Sequence, residues 1–190
     1  MARSQKRSDV IGKSVRRSRR LLVSATALIG LARKPKWLVV LDSSTLVEGV
    51  IAKRDNPSRD LLEAVIARVD TCVLSASIRE EVTEVLGRPK FGEWSPTEVD
   101  EILGPVWEAA TWVELADDDP SYQRFVRDAG DVHVLRAAAA TYAHPELNAA
   151  QRKFIASGDT RAFREDTRWY DFECVRPADL MRRLRDAVDA

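Results

Sequence analysis

Four acidic residues lie near the end of a short apolar run or at the start of a helical pattern. Asp42 directly follows the run WLVVL, and Asp159 ends the stretch ASGD after KFIAS. Glu81 comes six residues after TCVLS, and Asp131 begins DVHVLRAAAA, with Asp128 one turn before it. Carboxylates gathered together would repel one another and raise one another's pKa, and a divalent cation removes that penalty. Oxygen ligands without thiolates or a histidine set favour Mg²⁺ or Mn²⁺.

Each of these acids has a simpler structural role when it is considered alone. Asp42 or Asp131 would act as a helix cap. Glu81 would lie on a solvated helix face, and Asp159 would belong to a turn. Their shared position favours a joint site instead, because ligands of an open α/β sheet bind beyond the carboxyl ends of its strands.

The elements that would position the acids alternate between strands and helices. Five short apolar runs predict strands over residues 37–41, 71–75, 111–115, 153–157 and 172–175. The segments between them carry apolar residues at helical spacing, as in SIREEVTEVLGRP. By the crossover rule this order predicts a three-layer α/β/α sandwich around a mainly parallel sheet of four to five strands. Residues 142–152 are predicted to form an exposed, coil-like insertion.

Local signals predict where individual helices begin. Ser95 and Glu98 form a capping box in SPTEVDEIL. After WLVVL, either Ser43 or Ser44 is predicted to cap the next helix. That assignment would leave the carboxylate of Asp42 for another role.

Charge is divided unevenly along the chain. Residues 1–37 hold eleven Lys and Arg residues and one acid, a net charge of +10, so the remainder of this neutral chain carries −10. We therefore predict a basic N-terminal extension, residues 1–36, helical or partly disordered, and a folded domain over residues 37–190. The extension is typical of an arm that contacts nucleic-acid phosphates, of a targeting segment, or of an extension without a specific role.

Composition argues against several classes of protein and site. No apolar run reaches the roughly 18 residues of a membrane span, so no transmembrane segment is expected. Cys72 and Cys174 are far apart and not in a CxxC spacing, which argues against a zinc site or a disulfide framework. His133 has no histidine partner at ligand spacing and is interpreted as a helix-packing residue. A reducing cytoplasm is the expected location.

Four successive segments carry the acids: VVLDSSTLVEGV, VLSASIREEVTEVLGRPKF, RDAGDVHVLRAAAA and FIASGDTRAF. In this order they resemble the motifs of PIN-domain ribonucleases. The nearest likeness is to toxin components of bacterial toxin–antitoxin pairs, with the VapC-type toxins among their relatives. The resemblance covers residues 38–184. It implies that residues 37–190 form a PIN-like nuclease domain, a metal-dependent endoribonuclease that leaves 5′-phosphate and 3′-hydroxyl ends.

The resemblance also implies roles for individual residues. The acidic metal-binding positions of the family correspond to Asp42, Glu81, Asp131 and Asp159, with Asp128 as a frequent additional acid. Ser44 and Ser157 correspond to polar positions that orient waters or a carboxylate. The cations predicted to bind RNA are Arg161, Arg164, Arg16, Arg17, Arg19 and Arg20. The expected partners are an RNA substrate, a cognate antitoxin protein and a second copy of the chain.

Two alternatives to an RNA-cleaving enzyme remain open. One is a PIN-like module that binds RNA or a protein partner without cutting. The other is a haloacid-dehalogenase-like phosphatase, because LDSSTLVE has an echo of the D-x-D-x-T start of that family. Ser44 stands where that family has its second aspartate, which removes the usual acid–base group.

Overall fold

The computed structural model of the protein describes residues 37–52, 55–68, 70–159, 162–163 and 168–188. All six arginines predicted to bind RNA lie outside the described residues, as does the predicted basic extension.

Six strands of the described chain form one sheet. They are β1 Trp37–Leu41, β2 Thr71–Leu74, β3 Thr111–Trp112, β4 Arg152–Ala156, β5 Arg168–Trp169 and β6 Phe172–Val175. Their order is β3-β2-β1-β4-β6-β5, in which β5 pairs antiparallel with β6 and the other neighbours are parallel. Every residue of β1 is buried, as expected for a central parallel strand.

Helices flank this sheet and complete the predicted α/β/α sandwich. They are α1 Ser43–Ile51, α2 Pro57–Ile66, α3 Ala76–Gly87, α4 Pro96–Ala109, α5 Val132–Ala140, α6 Pro145–Asn148 and α7 Pro177–Val188. The capping box of Ser95 and Glu98 is present at the start of α4, as predicted. None of the helices in the described ranges is both long enough and apolar enough to cross a membrane.

Two short elements differ from the sequence prediction. Within the segment predicted as coil, residues 145–148 form α6, and Leu147 is buried in the core. The strand β5 was not predicted at all. Elements of two and four residues are too short to produce the periodic pattern on which the prediction depends.

Candidate active site in an acidic cleft

A cleft of about 930 Å³ lies where the carboxyl ends of β1, β2 and β4 meet. The acids predicted as metal ligands all contribute to its lining: Asp42, Glu81, Asp128, Asp131 and Asp159. Acids that are distant in sequence are thus brought to one surface by the parallel sheet. This is the edge at which an open α/β sheet binds its ligands.

The backbone at the junction of β1 and α1 fixes the position of Asp42. Its N–H donates to the carbonyl of Ala156 at the end of β4, at 3.0 Å. The prediction that Ser43 or Ser44 caps α1 is wrong, because Asp42 has the extended N-cap conformation and the serines are the first helical residues. The side chain of Asp42 nevertheless makes no capping hydrogen bond and lines the cleft.

Two hydroxyl groups hold the Asp42 carboxylate. Ser44 Oγ donates to Asp42 Oδ2 at 2.5 Å, and Ser157 Oγ donates to the same oxygen at 2.7 Å. The residue is 3% exposed, and burial raises the pKa of its carboxyl group, with the Glu81 charge adding to the rise and the two hydroxyls opposing it. Among the described lysines and arginines, none forms an ion pair with Asp42. Its charge is therefore solvated by hydroxyls but not neutralised.

The same serines connect β1 to the segment that carries Asp159. Ser44 Oγ accepts a hydrogen bond from the Gly158 N–H at 3.0 Å, and Ser157 Oγ accepts one from the Asp159 N–H at 3.1 Å. Each serine therefore contacts both sides of the junction. The resemblance implied that these residues orient waters or a carboxylate, and in the structure both hydroxyls contact Asp42.

Glu81 on α3 faces His133 on α5. Glu81 Oε2 and His133 Nε2 are 3.1 Å apart, within ion-pair distance but without the alignment of a hydrogen bond. His133 Nδ1 lies 2.6 Å from the Gly130 carbonyl oxygen, so this nitrogen carries a hydrogen. Burial alone would lower the pKa of His133, but Glu81 and the Gly130 carbonyl reverse the shift and raise it. The contact with His133 in turn lowers the pKa of Glu81.

Asp131 experiences the combined charge of the cleft. Burial and then the charges of Asp42, Asp128 and Glu81 raise its pKa to about 6. Asp131 is the N-cap residue of α5, but its side chain makes no capping hydrogen bond. Asp128 caps the preceding 3₁₀ turn, Ala129–Asp131, and accepts a hydrogen bond from the Gly130 N–H at 2.9 Å. The carboxylates therefore repel one another, as the sequence pattern predicted for a site that lacks a cation.

The donor set is chemically suited to a hard divalent cation. The cleft offers carboxylate oxygens, and their mutual repulsion favours a bound positive charge. Within the described ranges, no three His, Cys, Asp or Glu side chains converge closely enough to hold a metal ion. Binding would therefore require these side chains to move, and Glu81 and Asp159 are less buried than Asp42.

One further acid lines the cleft that was not among the predicted ligands, although it lies within the first motif. Glu48 Oε2 accepts a hydrogen bond from Ser58 Oγ at 2.7 Å. A Cβ added at Gly158 would lie 3.0 Å from the Glu48 carboxyl group, so glycine makes room for this side chain. Glu48 lies four residues after Ser44 on α1, a spacing that places both on one helix face and was the available signal.

Three basic residues also line the cleft and were not predicted to do so: Arg88, Lys90 and Arg127. Arg88 and Lys90 belong to GRPKF, where the sequence indicates only the end of a helix. Arg127 precedes Asp128 in a segment without periodicity. Only the folded arrangement places them beside the acids.

Comparison with known proteins identifies the family. A family model described as PIN domain matches residues 38–161, a range that begins in β1 and includes every acid of the predicted metal site. No curated protein matches the chain closely enough to be reported as a relative. Since the matched range is well over half of the chain and coincides with the fold and the cleft, the chain belongs to the PIN domain family, whose members are generally nucleases.

Proposed function

We propose that the protein is a divalent-metal-dependent endoribonuclease that hydrolyses phosphodiester bonds in RNA. The observation that carries this proposal is the buried Asp42 carboxylate, which has hydroxyl partners but no described Lys or Arg partner in a cleft lined by further acids. The family match supplies the nuclease class. It also favours the PIN interpretation of VVLDSSTLVEG over the phosphatase alternative.

Mg²⁺ or Mn²⁺ is the proposed cofactor. Asp42 and Asp159 would be direct ligands, and Glu81 and Asp131 would bind directly or through water, with Asp128 as an additional acid. When bound, such an ion lowers the pKa of a water and stabilises charge on the leaving oxygen.

The residues around Asp42 would orient it for this role. Ser44 and Ser157 both donate to Oδ2, whereas the nearest hydroxyl to Oδ1, from Ser43, lies at 3.4 Å. The hydroxyls thus fix the carboxylate through Oδ2, and Oδ1 has lone pairs left for a ligand. His133 would restrain Glu81 in a similar way, since groups around metal ligands commonly fix their orientation.

A cleavage assay tests the proposal. Wild-type protein is incubated with single-stranded RNA, duplex RNA and single-stranded DNA in Mg²⁺, Mn²⁺ or EDTA, and the product ends are mapped. We expect metal-dependent cleavage of RNA that leaves 5′-phosphate and 3′-hydroxyl ends. The matched variants are Asp42→Asn, in the cleft, and Asp171→Asn, at the opposite edge of the sheet.

Two results would contradict the proposal. Cleavage by Asp42→Asn at the wild-type rate would mean that Asp42 has no part in the reaction. Binding of RNA without cleavage under any metal condition would favour the non-cleaving module.

A toxin role is a further part of the proposal, supported by the resemblance of the motifs to toxin components. It predicts that expression arrests growth, that a small protein from a neighbouring reading frame relieves the arrest, and that Asp42→Asn does not arrest growth. Cytoplasmic action and a homodimer belong to the same proposal. Normal growth during expression of a protein that cleaves RNA in vitro would refute the toxin role alone.

A further inference from the structure

Basic side chains share the cleft with the acids. Arg88 and Lys90 come from the end of α3 and the 3₁₀ turn that follows it, Pro89–Phe91, and Arg127 comes from the segment before Asp128. All three side chains are exposed. An acidic cleft repels a polyanion, so a nucleic acid needs cations near the entrance in order to bind there.

One face of α3 connects the acidic and the basic parts of the cleft. Glu81, Val85 and Arg88 follow one another at spacings of four and three residues, and all three line the cleft. At 1.5 Å of rise per residue, Arg88 lies about 10 Å along the helix axis from Glu81. This separation suits contact with a phosphate that flanks the one at the acids.

The segment after α3 is held in a fixed conformation. The Trp94 N–H donates to the Leu86 carbonyl at 3.2 Å, and Trp94 Nε1 donates to the Phe91 carbonyl at 2.8 Å. Gly92 has a φ of 107°, a left-handed conformation that glycine adopts without strain. Lys90 Nζ lies 4.6 Å from the centroid of the Phe91 ring, a cation–π distance. Arg88 and Lys90 are therefore presented by an ordered turn.

The three basic side chains of the cleft are not held in strong internal ion pairs within the described residues. Arg88 pairs with Glu84 at 2.8 Å, but both side chains are at least half exposed, and such pairs contribute little and exchange readily. Lys90 and Arg127 have no ion-pair partner among the described residues. These cations are accordingly available to an anionic ligand.

We propose that Arg88, Lys90 and Arg127 form a binding site for the phosphate backbone of a single-stranded nucleic acid, which they lead along α3 to the acids. The inference rests on the proposed nuclease function and adds the path of its substrate. A single strand fits better than a duplex, because Asp42 is buried at the base of the cleft and a phosphate must descend to reach it. RNA and DNA share the backbone chemistry, so the experiment includes both.

Salt-dependent binding tests this site without cleavage. The full chain is titrated into fluorescent single-stranded RNA or DNA in EDTA, and the association constant is measured over a range of salt concentrations. For Lys90→Ala/Arg127→Ala we expect roughly tenfold weaker binding at low salt. We also expect the slope of log K against log salt to lose about 1.4, since each phosphate contact on a single strand contributes about 0.7. RNA and DNA should respond alike if the backbone alone is bound.

Two further variants distinguish binding at the three cleft cations from a general effect of the positive charge of the protein. Arg182→Ala/Arg185→Ala removes two exposed cations of α7, which are paired with Asp179 and Asp60 and do not line the cleft, and should leave the slope unchanged. Lys90→Arg/Arg127→Lys retains the charges and should retain the slope. The basic N-terminal residues are present in every variant, so differences between slopes report on the cleft.

The salt slopes decide whether the cleft cations bind nucleic acid, whether or not the protein cleaves RNA. An unchanged slope in Lys90→Ala/Arg127→Ala, or an equal change in the α7 variant, would overturn the inference even if the protein cleaves RNA. A slope that falls only in the cleft variant supports the inference even if no cleavage is found. The charge-retaining variant changes the same two positions, so a slope that it retains shows that the fall in the alanine variant follows the loss of charge.

Discussion

Two buried charges lie on neighbouring strands of the sheet, at opposite ends. Lys153 near the start of β4 and Asp42 after the end of β1 are each 3% exposed. The strands are paired in parallel, with Leu38 beside Lys153 and Leu41 beside Ala156. The two charges therefore occupy opposite edges of the same strand pair, in similarly buried surroundings.

The fold supplies partners for Lys153. Its Nζ lies 2.8 Å from Asp171 Oδ2, donates to Asn148 Oδ1 at 2.7 Å, and lies 4.4 Å from the centroid of the Tyr142 ring. The Tyr142 hydroxyl also donates to Asp171. Burial would raise the pKa of Asp171, but Lys153 and Tyr142 outweigh it and the pKa is lowered. The ammonium group is thus neutralised within the fold.

Asp42 has hydroxyl partners instead, and its charged neighbours are mostly acids. Burial leaves its pKa raised, in contrast to that of Asp171. The fold itself supplies a counter-charge for Lys153. Asp42, at the edge where ligands bind, has none among the described lysines and arginines, and we propose that an external cation supplies it.

The largest expected effect is the loss of cleavage in Asp42→Asn. The rate should fall at least about a thousandfold, because several kcal/mol of transition-state stabilisation depend on the metal ligand. The free energy of unfolding should be equal or higher, since the amide removes a buried charge. Cleavage rates and urea unfolding measure the two quantities. If stability falls together with activity, Asp42 is a structural residue like Lys153.

Asp171→Asn should have the opposite pattern. It leaves the Lys153 ammonium buried without its carboxylate, and the free energy of unfolding should fall by about 2 kcal/mol, less than for a fully buried pair because the Asp171 side chain is 56% exposed. Cleavage per folded molecule should be unchanged. Adding Lys153→Met should recover part of the loss. An effect below about 0.5 kcal/mol would show that the pair is unimportant.

Asp70 tests whether a missing partner alone marks a functional acid. It precedes β2, at the edge opposite the cleft, and its buried Oδ1 makes no hydrogen bond to another described residue. Burial raises its pKa from an ordinary 3.8 to about 7. The folded state therefore binds a proton that the unfolded state releases, so stability falls as pH rises between these values and is level above them.

Asp70→Asn should remove that dependence on pH. Its free energy of unfolding should exceed that of the wild type by at least about 2 kcal/mol at pH 8 and differ much less at pH 4. Cleavage should be unaffected. Urea unfolding at both pH values is the measurement. Loss of cleavage in this variant would show that position at the carboxyl edge does not distinguish the functional acids.

The smallest expected effect is that of Ser157→Ala. Ser157 Oγ orients Asp42 and also accepts from the Asp159 N–H, while Ser44 still donates to Asp42 in the variant. Cleavage should fall about tenfold, and half-maximal activity should need more metal. Ser75→Ala is the matched control, because this buried serine caps α3 and should affect stability by about 1 kcal/mol but not metal dependence.

The fold and the grouping of the acids could be predicted because their signals are local. Each predicted strand is a short, largely apolar run, and each predicted acid lies at or shortly after an element boundary, so the parallel order alone brings them to one edge. The cap of α1 was misassigned because aspartate and serine are similarly good N-caps. Only the backbone conformation of Asp42 distinguishes them.

Contacts between distant segments could not be predicted in this way. His133 meets Glu81 because α3 packs beside α5, and no local pattern specifies that contact. Lys153 in a strand is typical of a solvent-facing residue, and its burial depends on Asp171 in the turn before β6. The place of the basic residues in the cleft could not be predicted either, since an exposed lysine or arginine has no periodic signature.

Thermal unfolding with increasing Mn²⁺ tests the central claim most directly, because it measures binding of the cation without cleavage. At a metal concentration near one hundred times the dissociation constant, the wild type and Asp171→Asn should each be stabilised by about 2.7 kcal/mol. Asp42→Asn should show little stabilisation. Equal stabilisation of Asp42→Asn and the wild type, or none in the wild type, would contradict the assignment of Asp42 to a metal site.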